Sequence, residues 1–104
     1  MYCTIMYSGM DGFDWDLANK TKNWVKHKVS IKESERVFFN KPLVIAKDPK
    51  RSQIEYRFSA LGKTDEDRLL VIFFTVRGNK IRVISARDMN KKERQKYEKH
   101  SQKT

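Results

Sequence analysis

The chain has 104 residues and a single cysteine, Cys3, enough for one domain with one modest core and too few thiols for an internal disulfide framework. Its formal net charge of +10 and its 35% of charged residues draw it to phosphate backbones and to acidic proteins alike, with plain solubility as the alternative use of so much lysine. No apolar run approaches the roughly 18–20 residues of a membrane span, and the opening MYCTIMYSGM lacks the basic and apolar regions of a signal peptide, so a cytoplasmic protein without membrane attachment is expected.

Residues 1–12 read as a flexible N-terminal extension and residues 13–104 as a single domain, since termini are poorly ordered unless paired. Phe13-Asp14-Trp15-Asp16 alternates apolar and acidic residues and suits a brief edge strand. Asp16 can cap a helix. In that helix Leu17, Thr21, Trp24 and Lys28 share one face, and the cations Lys20, Lys22, Lys26, His27 and Lys28 load its C-terminal half, where the helix dipole favours them. Ser30-Ile31-Lys32-Glu33 has the form of a capping box. It predicts a second helix to about Phe39, with Ile31, Ser34, Val37 and Phe38 as its inward stripe. Pro42 ends that segment.

Leu43–Ala46 and Ile54–Ala60 read as strands, the second with the half-buried alternation Ile54, Tyr56, Phe58, Ala60. Between Leu69 and Arg87 the sequence LLVIFFTVRGNKIRVISAR holds two β-branched and aromatic runs around Gly78-Asn79, a hairpin signal. That turn sets Arg77 opposite Lys80, Thr75 opposite Arg82, Phe73 opposite Ile84 and Val71 opposite Ala86. Leu70, Ile72, Phe74, Val76, Ile81 and Val83 fall on the other, core-like face. Ser85 and Arg87 then take the core-facing parity. Asn90 to Glu93 repeats the capping logic before a last helix, Lys91 to about His100, whose main apolar anchor is Tyr97. From Arg87 to Thr104 there are seven Lys or Arg against three acids. The expected fold is α+β: two N-terminal helices and a C-terminal helix packed around a mainly antiparallel four-stranded sheet.

Several segments are similar to one family. Phe13-Asp14-Trp15-Asp16 resembles its F-x-W-D opening, and Asn23 with Lys26-His27 and Val29 resembles N-x-x-K-H-G-V. Ser30–Phe38 resembles S-F-E-E-A-x-x-V-F, and Glu55–Gly62 resembles E-E-R-F-x-x-I-G. Leu69–Gly78 resembles L-L-V-V-V-x-T-E-R-G, Ile81–Arg87 resembles I-R-I-I-S-A-R, and Glu93-Arg94 with Tyr97 resembles E-R-x-x-Y. Their order and spacing resemble the BrnT-type toxins of bacterial type II toxin–antitoxin pairs, from about Phe13 to Tyr97. The resemblance implies a RelE-like fold and endoribonuclease activity that inhibits translation. It also implies neutralisation by a BrnA-type antitoxin, with operator DNA bound only through the complex. Lys28 stands where the family usually has glycine, Val76 where it has glutamate, and Tyr56 where it often has a second acid.

Metal-free RNA cleavage needs a base for the ribose 2′-hydroxyl, cations for the charge gathering on phosphate, and an acid for the leaving oxygen. Arg57, Arg77 and Arg82 are the candidate phosphate clamps, because a guanidinium fork grips two oxygens and stays charged. Glu55 is the candidate base, with a cross-strand ion pair as the alternative. Thr75 can orient a phosphate or serve only as a strand former. His27 suits proton transfer or a helix-end contact with carbonyls. Lys80, Arg87, Trp15, Lys26 and Tyr97 complete the candidate RNA-binding set. For Trp15 and Tyr97 the competing role is packing. The scattered His27, His100 and Cys3 form no metal-ligand cluster, so neither metal nor cofactor is expected. Two rival readings need less: a non-enzymatic basic module that binds nucleic acid, and a subunit whose basic helix binds an acidic partner.

Overall fold

The computed structural model describes residues 12–15, 26–47 and 56–102. Strand β1 is Phe13–Asp14, helix α1 is Ile31–Val37, β2 is Val44–Lys47, β3 is Arg57–Lys63, β4 is Leu69–Arg77, β5 is Lys80–Asp88 and α2 is Lys91–Gln102. The strands form one sheet in the order β1-β5-β4-β3-β2. β1 runs parallel to β5 and the other neighbours are antiparallel.

This corrects the expected architecture. The sheet has five strands and is mixed, and the described residues hold two helices rather than three around a four-stranded antiparallel sheet. A two-residue strand is too short to carry a readable period. It exists because the β5 edge offers backbone partners: the Ile81 N–H donates to the Gly12 carbonyl at 3.0 Å, and Phe13 and Asp14 register with Ile81 and Arg82. Most of the expected first helix lies outside the described residues; Lys26 and His27 are helical.

Helix α1 starts where its capping box predicts. The Glu33 N–H donates to Ser30 Oγ at 3.1 Å, and the Ser30 N–H donates to Glu33 Oε1 at 3.0 Å. Val37 and Phe38 are fully buried. Ser34 is buried as well, with its hydroxyl donating to the Ser30 carbonyl. These residues meet one sheet face, where Leu70, Ile72, Phe74, Ile81, Val83 and Ala86 join Ala60, Ile45, Leu43 and Val29 in the main core. Phe38 meets Phe74 edge-on at 5.2 Å, and Phe58 stacks on Phe74 at 5.4 Å. Gly62 leaves room for α1 against the sheet: a Cβ there would stand 2.7 Å from Val37 Cγ1.

The opposite sheet face is divided. At its β2 side Val44, Leu61, Val71, Met89 and Tyr97 make a second, smaller core beneath α2. Tyr97 is the buried anchor of that helix, and its hydroxyl donates to the Pro42 carbonyl at 2.7 Å. Towards β5 the same face carries polar and cationic residues. The described helices include none long and apolar enough to cross a membrane.

The hairpin follows the turn for its first four pairs, Arg77 with Lys80, Val76 with Ile81, Thr75 with Arg82 and Phe74 with Val83. Gly78 supplies the positive φ, +59°, that a two-residue turn demands. Then the register breaks: Phe73 pairs with Ser85, Ile72 with Ala86 and Val71 with Arg87. Ile84 is the inserted residue of a β-bulge. The expected pairs Phe73–Ile84 and Val71–Ala86 are therefore replaced. Every residue after Ile84 changes face, because strand parity has period two. Ala86 enters the main core, fully buried. Ser85 and Arg87, expected on the core parity, turn to the basic face instead.

Candidate nucleic-acid interface

The bulge builds a cleft. Phe73 on β4, Ile84, Ser85 and Arg87 on β5, Arg57 on β3 and the helical pair Lys26 and His27 line one depression of about 290 Å³. Four residues singled out in the sequence, Arg57, His27, Lys26 and Arg87, are thus brought together from three separate segments. Arg57 reaches the site because β3 pairs it with Thr75, which puts it on the face that Arg82 and Phe73 share.

Two ion-pair systems fix the walls. The Arg87 guanidinium donates to both oxygens of Glu93, at 2.9 and 3.0 Å, and lies 5.4 Å from the centre of the Phe73 ring. Glu93 also closes the capping box of α2: its N–H donates to Asn90 Oδ1 and its carboxylate accepts from the Asn90 N–H, both at 2.8 Å. Burial pushes the Glu93 carboxyl up, but Arg87 and the Asn90 N–H outweigh it and hold the group below its ordinary value. The second system is centred on Arg68, which joins Asp88, Glu33 and the carbonyls of His27 and Lys28. Asp88 is held low chiefly by its bond to Arg68, with the field of His27 adding to the effect against burial. In Glu33 burial acts upward, and the Ser30 N–H and Arg68 reverse it to a net lowering.

The other expected residues lie elsewhere. Arg77 and Lys80 face each other, exposed, at the hairpin tip. Arg82 is half-buried and pairs with Asp14 at 3.4 Å. Thr75 is buried, and its hydroxyl donates to the Tyr56 carbonyl at 2.7 Å. Trp15 packs against the main core on the opposite face, its Nε1 donating to Glu35 at 2.7 Å. Tyr97 sits in the second core. Glu55 lies outside the described residues.

Phe73, Ile84 and Ser85 also line the cleft and were not singled out. Phe73 and Ile84 read as ordinary apolar strand residues, and Ser85 reaches the cleft only through the bulge. Arg68 carried no signal, because its partners are 20 to 41 residues away in the chain. The departures from the family pattern acquire structural meaning. Lys28 has φ +56°, the left-handed conformation that glycine adopts without steric cost. Val76 packs against the main core. Tyr56 is exposed beneath the Lys47 ammonium, 3.8 Å from its ring centre.

The chain's relatives agree with this architecture. A crystal structure of the Brucella abortus ribonuclease toxin BrnT is similar to it, with a TM-score of 0.56 and 19% identity over 77% of this chain and 97% of that one. At such identity the likeness is one of fold. No curated protein matches the chain. The family model described as the ribonuclease toxin, BrnT, of type II toxin–antitoxin systems matches residues 15–93. That span takes in the whole cleft and both ion-pair systems, and on that match the chain belongs to the BrnT family of ribonuclease toxins.

Proposed function

We propose that residues 13–104 act as the toxin domain of a metal-independent endoribonuclease that cleaves RNA at this cleft and so inhibits translation in the bacterial cytoplasm. The observation that carries the reading is the meeting of Arg57, Arg87, Lys26 and His27 around one depression that Phe73 also lines. The scissile phosphate rests between Arg57, Arg87 and Lys26, whose charges match the negative charge that gathers on the phosphoryl oxygens. The ribose 2′-oxygen attacks phosphorus, the bond to the 5′-oxygen breaks, and a 2′,3′-cyclic phosphate and a 5′-hydroxyl result. His27 is the proton-transfer group, since histidine both accepts and donates near neutral pH. Phe73 and Ile84 offer an apolar surface to an adjoining base. Arg77, Lys80 and Arg82 follow the flanking backbone along the same face.

The partner is a BrnA-type antitoxin that covers this face or the outer side of α2, with operator DNA bound only through the complex. The test is purified protein incubated with mixed RNA in EDTA, with and without ribosomes. Cleavage is expected, with Arg57→Ala and His27→Ala each losing about 10²-fold or more. RNA left intact under both conditions, with affinity that falls steeply with salt, would leave only a nucleic-acid-binding module.

A further inference from the structure

The Arg68 guanidinium is not part of the cleft lining, yet it bonds the His27 backbone and so bears on where Lys26 and His27 stand. A guanidinium has five N–H donors, and the geometry assigns every one. Nε and Nη2 hold the two oxygens of Asp88 at 2.8 and 3.1 Å. Nη1 donates to the Lys28 carbonyl at 2.9 Å and to Glu33 Oε2 at 3.1 Å. Nη2 also donates to the His27 carbonyl at 3.3 Å. The last two carbonyls before the chain turns are those a helix leaves without intrahelical partners, and Lys28 makes that turn in the left-handed region. Arg68 therefore ties the end of the segment bearing Lys26 and His27 to the first turn of α1 and to the end of β5, whose residue before Asp88 is the cleft cation Arg87.

We propose that Arg68 is a positioning residue for RNA cleavage: it holds His27 and Lys26 at the distance from Arg57 and Arg87 that the reaction requires. The role rests on the cleft being the RNA site. Only arginine suits it. Lysine has three donors on a point charge and cannot span a bidentate carboxylate and two carbonyls at once. The carboxylates that Arg68 joins are partly exposed, with side-chain accessibilities of 31% for Glu33 and 61% for Asp88. Water can solvate them when the guanidinium is removed, so the variants are expected to fold.

The experiment compares wild type, Arg68→Met, Arg68→Lys, His27→Ala and the double variant His27→Ala/Arg68→Met. Circular dichroism checks the folded fraction, and cleavage of one RNA oligonucleotide gives kcat and KM. Displacement of a reacting group by about 1 Å costs up to about a hundredfold in rate. Arg68→Met should therefore lower kcat by at least about tenfold per folded molecule, with Arg68→Lys in between. In the double variant the losses should be less than additive, since only the placement of Lys26 is left for Arg68 to affect, and the His27 imidazole resonances should move in Arg68→Met. Wild-type kcat in Arg68→Met, losses that simply add in the double variant, or unmoved His27 resonances would each overturn the positioning role. If His27→Ala alone keeps full activity, the chemistry assigned to the cleft fails. The imidazole resonances then still decide whether Arg68 places that side chain.

Discussion

Replacing Lys28 by glycine should make the protein more stable, although it removes a side chain and adds none. Lys28 sits at φ +56°, where the Cβ of an L-residue crowds the neighbouring carbonyl at a cost of about 1–2 kcal/mol. Glycine avoids that cost but loses more backbone freedom on folding, about 0.5–1 kcal/mol. The balance favours Lys28→Gly by about 0.5–1 kcal/mol. The carbonyl that accepts from Arg68 is retained in the variant. The proper control is Lys28→Ala, which also removes the lysine side chain and its contacts but keeps the Cβ. Their difference isolates the backbone term. Urea denaturation followed by tryptophan fluorescence should rank Lys28→Gly above Lys28→Ala by about 0.5–1 kcal/mol, and thermal melts should separate their midpoints by about 2–8 °C for a domain near this size. An alanine variant as stable as the glycine variant would refute the reasoning, because the backbone freedom lost by glycine would then offset the left-handed strain.

Gly62→Ala should have the opposite effect. Its Cβ would press on Val37 Cγ1 at 2.7 Å and on the Val37 carbonyl at 3.3 Å, costing about 1–3 kcal/mol as overpacking; an unchanged urea midpoint would show that α1 yields freely. Tyr97→Phe removes the donor to the buried Pro42 carbonyl and should cost about 1–3 kcal/mol in stability, with RNA cleavage per folded molecule unaltered; a selective fall in kcat would return the hydroxyl to the chemistry. Acid should unfold the protein through Asp88, Glu33 and Glu93. Their carboxyls are lower in the folded state than unfolded, so their contribution is complete above the unfolded range near pH 4 and is lost as pH falls through the folded values. Arg68→Met should flatten that acid limb in a series of urea midpoints from about pH 6 to pH 2, and parallel curves for the two proteins would count against the Arg68 network as its source.

Local features were legible where neighbouring residues alone decide them. The Ser30–Glu33 and Asn90–Glu93 capping boxes formed as spelled, since each needs only residues three apart. Gly78-Asn79 dictated the first four hairpin pairs. Beyond Phe74 the same counting failed. A bulge at Ile84 leaves no mark in a run of apolar residues, and after it every inference from parity inverts. Strand parity assigns Arg87 to the core side of the sheet, whereas the bulge turns it to the cleft. The same parity puts Ala86 opposite Val71, whereas it pairs with Ile72 and is buried in the core. The parallel strand β1 was equally hidden, because two residues carry no period and its partner lies more than sixty positions away.

The amino-acid sequence by itself determined the charge that draws RNA, the hairpin turn, the helix starts and membership of the BrnT family, all properties of composition or of short spacings. Only the tertiary structure decided which cations meet. Arg57, Arg87, Lys26 and His27 share a cleft because a one-residue insertion rotates β5 and because the Arg68 guanidinium fastens a helix end to it. Both depend on contacts between residues distant in the chain, which packing selects and local pattern does not record.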